Sequence, residues 1–396
     1  MKRIYLDYNA TTPIHPEVLK TMLPYYRDSF GNPSTIYFFG QETKKATEEA
    51  REKVANLLGA SLEEIVFTSG GTEADNFALK GVAFALEEKG RHIITSAIEH
   101  HAVLSTCQYL EKRGFKVTYL PVDKYGWLDP EKVENAITKE TILISILHAN
   151  NEMGTIQPIP EIGEIAERRG ICFHTDAVQT VGKVPVKVDK LRVDLLSLSA
   201  HKFYGPKGIG ALYIRRGTHI HPLIHGGHQE RVRRAGTENV PGIVGLGRAA
   251  EIASREMEEE AKRIENLRNK LEKKIKENIP HIFINGHPSK RSPNTLNVSF
   301  EFVEGESLLL NLDLKGIAAS TGSACTAGSL EPSHVLKAMG VPPQLAQGSL
   351  RFSLGRDNKE EDIDYTVQTL KEIVGRLREM SPLYQQEEAG GRSSSK

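Results

Sequence analysis

Four short stretches carry residue types that do chemistry. Lys202 stands in VDLLSLSAHKFYGPKGIGALYI, residues 193–214, where an apolar run ends in Ser199, His201 and Lys202 before a Gly/Pro-rich turn. A lysine at the mouth of a sheet is partly desolvated, which favours its neutral amine and suits it to form an imine with an aldehyde cofactor. On residue type alone, an ordinary surface lysine fits as well. SGGTEADN, residues 69–76, follows an apolar run and opens a predicted helix. Its backbone N–H groups and the Thr72 hydroxyl, beside Gly71, suit a phosphate at the positive helix end, although many such turns are only turns. HTDAVQ places Asp176 and Gln179 just past a third apolar run, where an aspartate either caps a helix or serves a bound group. Cys325 lies in STGSACTAGSLEPSHVLKAMG, residues 320–340, whose Ser, Gly, Thr and Ala content reads as an exposed, mobile loop. Cys107, on a predicted helix, and Cys172, in a predicted strand, read as core residues.

The elements that must position these residues alternate. From about residue 60 to 215, short apolar runs alternate with amphipathic stretches, the pattern of repeated β and α units in a mostly parallel sheet. Strands are predicted at 65–68, 92–95, 116–120, 141–147, 171–175, 194–199 and 209–214, with helices at 72–89, 100–113 and 162–169 between them. Ligands of such sheets gather beyond the carboxyl ends of the strands, where three of the four stretches fall, the Cys325 stretch lying further along the chain. After Gly236 one long charge-laced amphipathic pattern runs to about Glu277, as a helix linking two domains would. Strands at 295–300, 317–320 and 349–354 then suffice for a smaller α+β domain, and residues 387–396 (EEAGGRSSSK) read as a polar tail.

Composition narrows the class. Lys+Arg and Asp+Glu number 51 each, so no global field favours nucleic acid or an anionic membrane. MKRIYLDYNATTP lacks the apolar core of a signal peptide, and no run of about 18 apolar residues occurs, so a cytoplasmic protein is expected. Three scattered cysteines neither build a disulfide framework nor match a zinc motif, and no metal is expected.

Taken in order, YLDYNATTP, FGNPS, SGGTEADN, EHHAVL, HTDAVQ, SAHKFYGPKG, RRAGTENV, the Cys325 segment and GSLRFSLGR resemble the class V aminotransferase family, and within it the cysteine desulfurases of the NifS and IscS type. The resemblance spans nearly the whole chain. It implies a pyridoxal-phosphate enzyme of fold type I, with a mostly parallel seven-stranded sheet in a large domain (15–258) and a small domain (1–14 with 259–382), leaving 383–396 as a disordered tail. It also implies that Lys202 carries the cofactor, that His100 stacks on its ring and takes part in proton transfer, and that Asp176 keeps the ring nitrogen protonated. Gln179 and Asn151 are expected near the phenolate oxygen and the substrate carboxylate. Gly71, Thr72, Ser199 and His201 complete the cofactor site, and Arg351 clamps the substrate carboxylate. Thr237 looks like the threonine that reaches the phosphate of a partner subunit in a homodimer, with helix capping as the competing explanation. By the same resemblance L-cysteine is the substrate, Cys325 accepts its sulfur as a persulfide, alanine leaves, and the sulfur passes to an acceptor protein such as an iron–sulfur scaffold, with tRNA thiolation a further use.

Three positions depart from the family pattern: Tyr37 stands where a histidine is usual, and His228 and Val232 where glycines are usual. Two other readings remain open. One is a selenocysteine lyase or another class V reaction; the second is a non-catalytic partner in iron–sulfur assembly.

Overall fold

The structure, a computed structural model, describes residues 3–321 and 332–386. Its first strand, β1 (Ile4–Tyr5), lies far along the fold from the strands that follow it in sequence. The large sheet comprises β2 (Ile65–Thr68), β3 (His92–Ser96), β4 (Lys116–Leu120), β5 (Thr141–Ser145), β6 (Cys172–Asp176), β7 (Leu195–Ser199) and β8 (Gly210–Ile214) in the order β2-β8-β7-β6-β5-β3-β4. Only β8 runs against its neighbours. Strands β2, β3, β5, β7 and β8 are buried at every position, because helices cover both faces and leave no side for polar alternation. The parallel strands all end at one edge, and the turns after them bring residues 69–72, 100, 176 and 199–202 together there.

Among the described residues four buried apolar clusters form, the two largest in different parts of the chain. One packs beneath the large sheet around Phe67, Ile144, Phe173 and Leu196. The other gathers Leu6, Leu267, Leu271, Phe300, Leu350 and Phe352 in the smaller α+β part. That part contains the three-stranded antiparallel sheet β12-β10-β9, made of β9 (Ile282–Asn285), β10 (Thr295–Phe300) and β12 (Ser349–Ser353). The two-residue strand β11 (Ile317–Ala318) pairs in parallel with β1.

One 39-residue helix, Val240–Asn278, serves both cores. Its first third, rich in Gly, Ala and Ile, buries Ile243, Leu246 and Ile252 in the large core. Its last turns expose charge and bury the apolar side chains of Ile264, Leu267, Leu271 and Ile275, the three-and-four spacing of a single apolar stripe. Each such side chain contributes about 1.5–3 kcal/mol on full burial.

The predicted strands 65–68, 116–120 and 295–300 match the observed limits, and the others shift by one or two residues. β1 and β9 were not predicted. Both are short, and each is completed by a partner distant in sequence or across a turn. The helices are tighter than predicted at their C-terminal ends, closing at Ala85 and Glu111. The ordered chain also continues past residue 382: residues 382–386 are helical, with Tyr384 packed 5.5 Å from the Phe302 ring, so the tail does not begin at 383.

Candidate active site

At the carboxyl edge of the large sheet lies a cavity of about 310 Å³. Gly71, Thr72, His100, Asn151, Asp176, Gln179, Ser199, His201, Lys202 and Arg351 all line it, so ten predicted residues from six stretches of chain converge. Thr237 does not. It sits exposed on the loop ahead of the long helix, where Asn239 accepts from the Gly242 N–H and does the capping, so the capping explanation for Thr237 falls. Cys325 lies outside the described residues.

One end of the cavity is formed by a helix start, an arrangement that suits an anion. β2 stops at Thr68, and the helix Gly71–Ala85 starts soon after it, which puts the Gly71 and Thr72 N–H groups in a first turn, where such groups have no partner within the helix. Close packing here demands glycine on β8: a Cβ on Gly210 would lie 2.5 Å from the Leu198 carbonyl oxygen and 2.8 Å from Gly70 Cα. Ser199 and His201, from the end of β7, complete this wall.

Lys202 sits in a 3₁₀ turn directly after β7, and its Nζ donates to the carbonyl oxygens of Asn9 (2.7 Å) and Ala10 (2.8 Å). These contacts draw the N-terminal segment across the cavity. Thr12 N–H donates to the His201 carbonyl at 2.9 Å and fixes the same crossing.

Asp176 ends β6. Its Oδ1 accepts from the Val178 N–H at 2.9 Å, and burial pushes its pKa up to about 6 against the opposing charge of Lys202. Its Asx-type turn shows that the capping and ligand-facing readings coexist, since the residue also lines the cavity. Asp75, from the helix at the anion end, is fully buried nearby, and burial together with Asp176 holds its carboxyl well above the usual range. Among the described residues its Oδ1 has no hydrogen-bond partner, and His174 Nε2 lies 3.6 Å from it. A buried carboxylate pair of this kind retains a proton for a neighbouring basic nitrogen.

His100 caps the helix His101–Glu111: its Nδ1 accepts from the Ala102 N–H at 3.1 Å. That bond places the ring proton on Nε2 by inference. Burial, helped by the Lys202 charge, lowers the pKa to about 4, so the imidazole is neutral at pH 7.

Arg351 comes from β12 of the smaller part and is 3% exposed. Its Nη1 donates to the Asn151 carbonyl (3.0 Å) and its Nη2 to Asp7 Oδ1 (2.6 Å), while Nε is buried without a partner among the described residues. A guanidinium held in this way keeps donors for a second carboxylate.

Several residues here had no role in the sequence reading. Asn9 stands within YLDYNATTP, but nothing in that motif says that its carbonyl meets the Lys202 amine and the Gln179 amide. Asp7, Asp75 and Lys183 were likewise missed, because an Asp or Lys carries no local sign of burial.

The other cysteines are poor nucleophiles. Cys107 is buried and its thiol is pushed up to about 12; Cys172 is only partly covered as a residue, a correction to its reading as core, yet its thiol is also raised by burial.

One of the departures acquires a physical meaning. Glu230, Arg231 and Val232 are all left-handed, with φ of 46°, 56° and 67°. Val232 therefore occupies a conformation that favours glycine, while His228, at φ −92°, does not. A buried two-bond ion pair from Arg51 to Glu230 (2.7 and 2.9 Å) holds this turn, and the Phe67 N–H donates to the same carboxylate. Tyr37 precedes the helix Phe38–Leu58 and is exposed.

The residues present fit pyridoxal phosphate: a helix end for its phosphate, a buried carboxylate pair for its ring nitrogen and a lysine amine for its aldehyde. Comparison with known proteins agrees. The family described as Aminotransferase class-V matches residues 4–366. A protein named cysteine desulfurase IscS from Dictyoglomus turgidum is 59% identical over 98% of each chain. Another of that name from Methanosarcina thermophila is 61% identical over 96% of this chain and 94% of its own. A solved structure described as a NifS-like protein superposes with a TM-score of 0.89 at 46% identity, covering 94% of this chain and 100% of its own. The chain belongs to the class V aminotransferase family and, within it, to the cysteine desulfurases.

Proposed function

We propose that this chain takes the sulfur of L-cysteine onto its own Cys325 and releases L-alanine. The observation that carries this reading is the convergence of Lys202, Asp176, His100 and the Gly71–Thr72 helix end in one cavity with Arg351. Gly71, Thr72, Ser199 and His201 would hold the phosphate of pyridoxal phosphate, Asp176 its ring nitrogen, His100 its ring face and Lys202 its aldehyde carbon. When bound, this cofactor supplies an electron sink that acidifies the Cα–H of an amino acid and weakens bonding at its β-carbon.

The chain's own residues do the rest. Arg351, with Asn151 beside it, binds the substrate carboxylate and orients Cα toward Lys202. Lys202 Nζ, once free, takes the Cα proton. His100, neutral at working pH, holds a proton on Nε2 for transfer near the departing sulfur. Cys325 as thiolate attacks the substrate sulfur: an S–S bond forms, the Cβ–S bond breaks with its electron pair left on carbon, and Cβ gains a proton. The thiol raised to about 12 at Cys107 is unsuited to that task.

The working unit in this reading is a homodimer. Ile36 (92% exposed), Phe38 (75%) and Phe30 (68%) form with Phe39 a run of exposed aromatic and aliphatic surface in which neighbouring rings lie 5.6 and 5.8 Å apart. Patches of this kind mark protein contacts, and a partner covering it is the setting in which Thr237 would serve the other subunit's phosphate. The division at residues 15–258 and 1–14 with 259–382 is part of the same reading; it is supported by the separate core around Leu271 and Phe352, although Val335, Leu336, Met339 and Ala346 pack into the large core. Cytoplasmic location and transfer to an acceptor such as an iron–sulfur scaffold belong to the same proposal. Among the described residues no helix is long and apolar enough to cross a membrane.

Replacing Cys325 with Ala tests the assignment. The variant is expected to keep bound cofactor and its visible absorbance while losing alanine formation from L-cysteine. Undiminished sulfur transfer by that variant would overturn it.

A further inference from the structure

Behind Lys202 stands a second lysine. Lys183 follows β6 at a short distance, four residues beyond Gln179, in the turn QTVGK. Gly182 makes this turn possible: its φ is +76°, and a Cβ there would lie 2.6 Å from Phe203 Cβ. Part of the Lys183 side chain is exposed, yet its amine is enclosed, and burial pushes its pKa well below the ordinary lysine value, with Lys202 and Arg351 adding to the effect.

The amine donates to two amide oxygens, Gln179 Oε1 at 2.8 Å and Asn9 Oδ1 at 3.1 Å. This matters because an amide side chain fits its space equally well in either of two flips. Lys183 removes the choice at both. With Gln179 reversed, its NH2 would face the Lys183 N–H donors and its carbonyl would face the Asn9 carbonyl, to which Nε2 now donates at 3.0 Å. One Gln179 N–H is thus spent on Asn9, and the other remains for an acceptor in the cavity that Gln179 lines. Asn9 is tied in the same way: its Oδ1 also accepts from Asn294, its Nδ2 donates to Thr295 Oγ1 at 2.8 Å, and its carbonyl receives the Lys202 amine. Even a neutral amine has the two N–H groups this requires.

We propose that Lys183 is a positioning residue, which locks Gln179 as a hydrogen-bond donor toward the cofactor and fixes the Asn9 carbonyl that receives Lys202. The proposal rests on the cofactor assignment above. Its charged and titratable surroundings are Lys202, Arg351 with its partner Asp7, and His201, with Tyr8 and Glu260 lining the small cavity that Lys183 and Lys202 share.

The test is a double-mutant cycle on the full chain with Lys183→Met and Gln179→Ala, read by pyridoxal-phosphate Kd on the stripped protein and by the pH midpoint of the visible band of the lysine-linked cofactor. Loss of one charge-assisted bond corresponds to about a tenfold weaker Kd and a midpoint moved by about one unit. Each single variant is expected to show this, and the double variant no more than the larger single. An unchanged midpoint and Kd in Lys183→Met, or effects that add, would overturn the proposal. If Lys183→Met does not fold, the same cycle with Lys183→Leu, which also removes every donor, decides on the same criterion. A wild-type chain that takes up no cofactor at Lys202 would instead overturn the functional reading.

Discussion

Arg351 can be perturbed without removing its charge. The ammonium of an Arg351→Lys variant would still neutralise Asp7, but it presents a point charge where the guanidinium presents a fork. In the structure that fork already gives one arm to Asn151 and another to Asp7, and its buried Nε is unpartnered among the described residues. A substrate carboxylate therefore needs the full set of donors, and a lysine satisfying Asp7 has little left for it. One lost hydrogen bond to a charged group costs about 1.5–3 kcal/mol, which is roughly a 10- to 150-fold loss of affinity. Because this contact is made in ground and transition states alike, KM for L-cysteine should rise by about that factor while kcat changes little. Steady-state alanine production across substrate concentrations measures both. A KM within about threefold of wild type, with folding intact, would refute the role given to Arg351.

Further outcomes follow from buried charge. Glu99 is pushed up to about 8 by burial, so between an unfolded value near 4.5 and pH 8 the folded chain holds a proton that the unfolded chain releases. Its stabilising effect is thus complete below pH 4.5 and lost as pH rises to 8, by at most about 1.4 kcal/mol per pH unit. Denaturation midpoints of Glu99→Gln should decline less than wild type from about pH 5 to about pH 8; parallel declines would contradict this. Glu230→Gln breaks a buried pair with Arg51 and should cost about 3–5 kcal/mol in urea unfolding. Val232→Gly relieves a left-handed β-branched residue and should leave stability equal or higher, whereas a clear loss would show that the turn is unstrained. Lys202→Ala should bind pyridoxal phosphate without the covalent, borohydride-trappable link; a trapped adduct in that variant would move the attachment elsewhere.

Much of the site was legible because parallel βα units turn sequence position into spatial position. Once the runs at 65–68, 172–176 and 195–199 are strands of one sheet, Gly71, Asp176 and Lys202 must share its carboxyl edge. Periodicity also exposed the helix that serves both cores. The N-terminal segment was harder to read, since β1 is two residues long and is defined by pairing with Ile317 and Ala318, at the other end of the chain. For that reason Asn9 and Asp7 entered the site unannounced. Burial of polar groups was equally hidden: neither Lys183 nor Asp75 differs in local sequence from a surface residue. The left-handed run at 230–232 shows the converse case, in which an unexpected Val232 pointed to a glycine-like backbone.

Sulfur transfer from a cysteine substrate to one thiol of the chain leaves a product that can be located directly. The direct measurement is peptide mass mapping of the cofactor-loaded protein after brief exposure to L-cysteine, with alanine counted in the same sample. One added sulfur atom on the Cys325 peptide is expected for each alanine formed in the first turnover. An added sulfur on Cys107 or Cys172 instead, or alanine with no persulfide on Cys325, would contradict it.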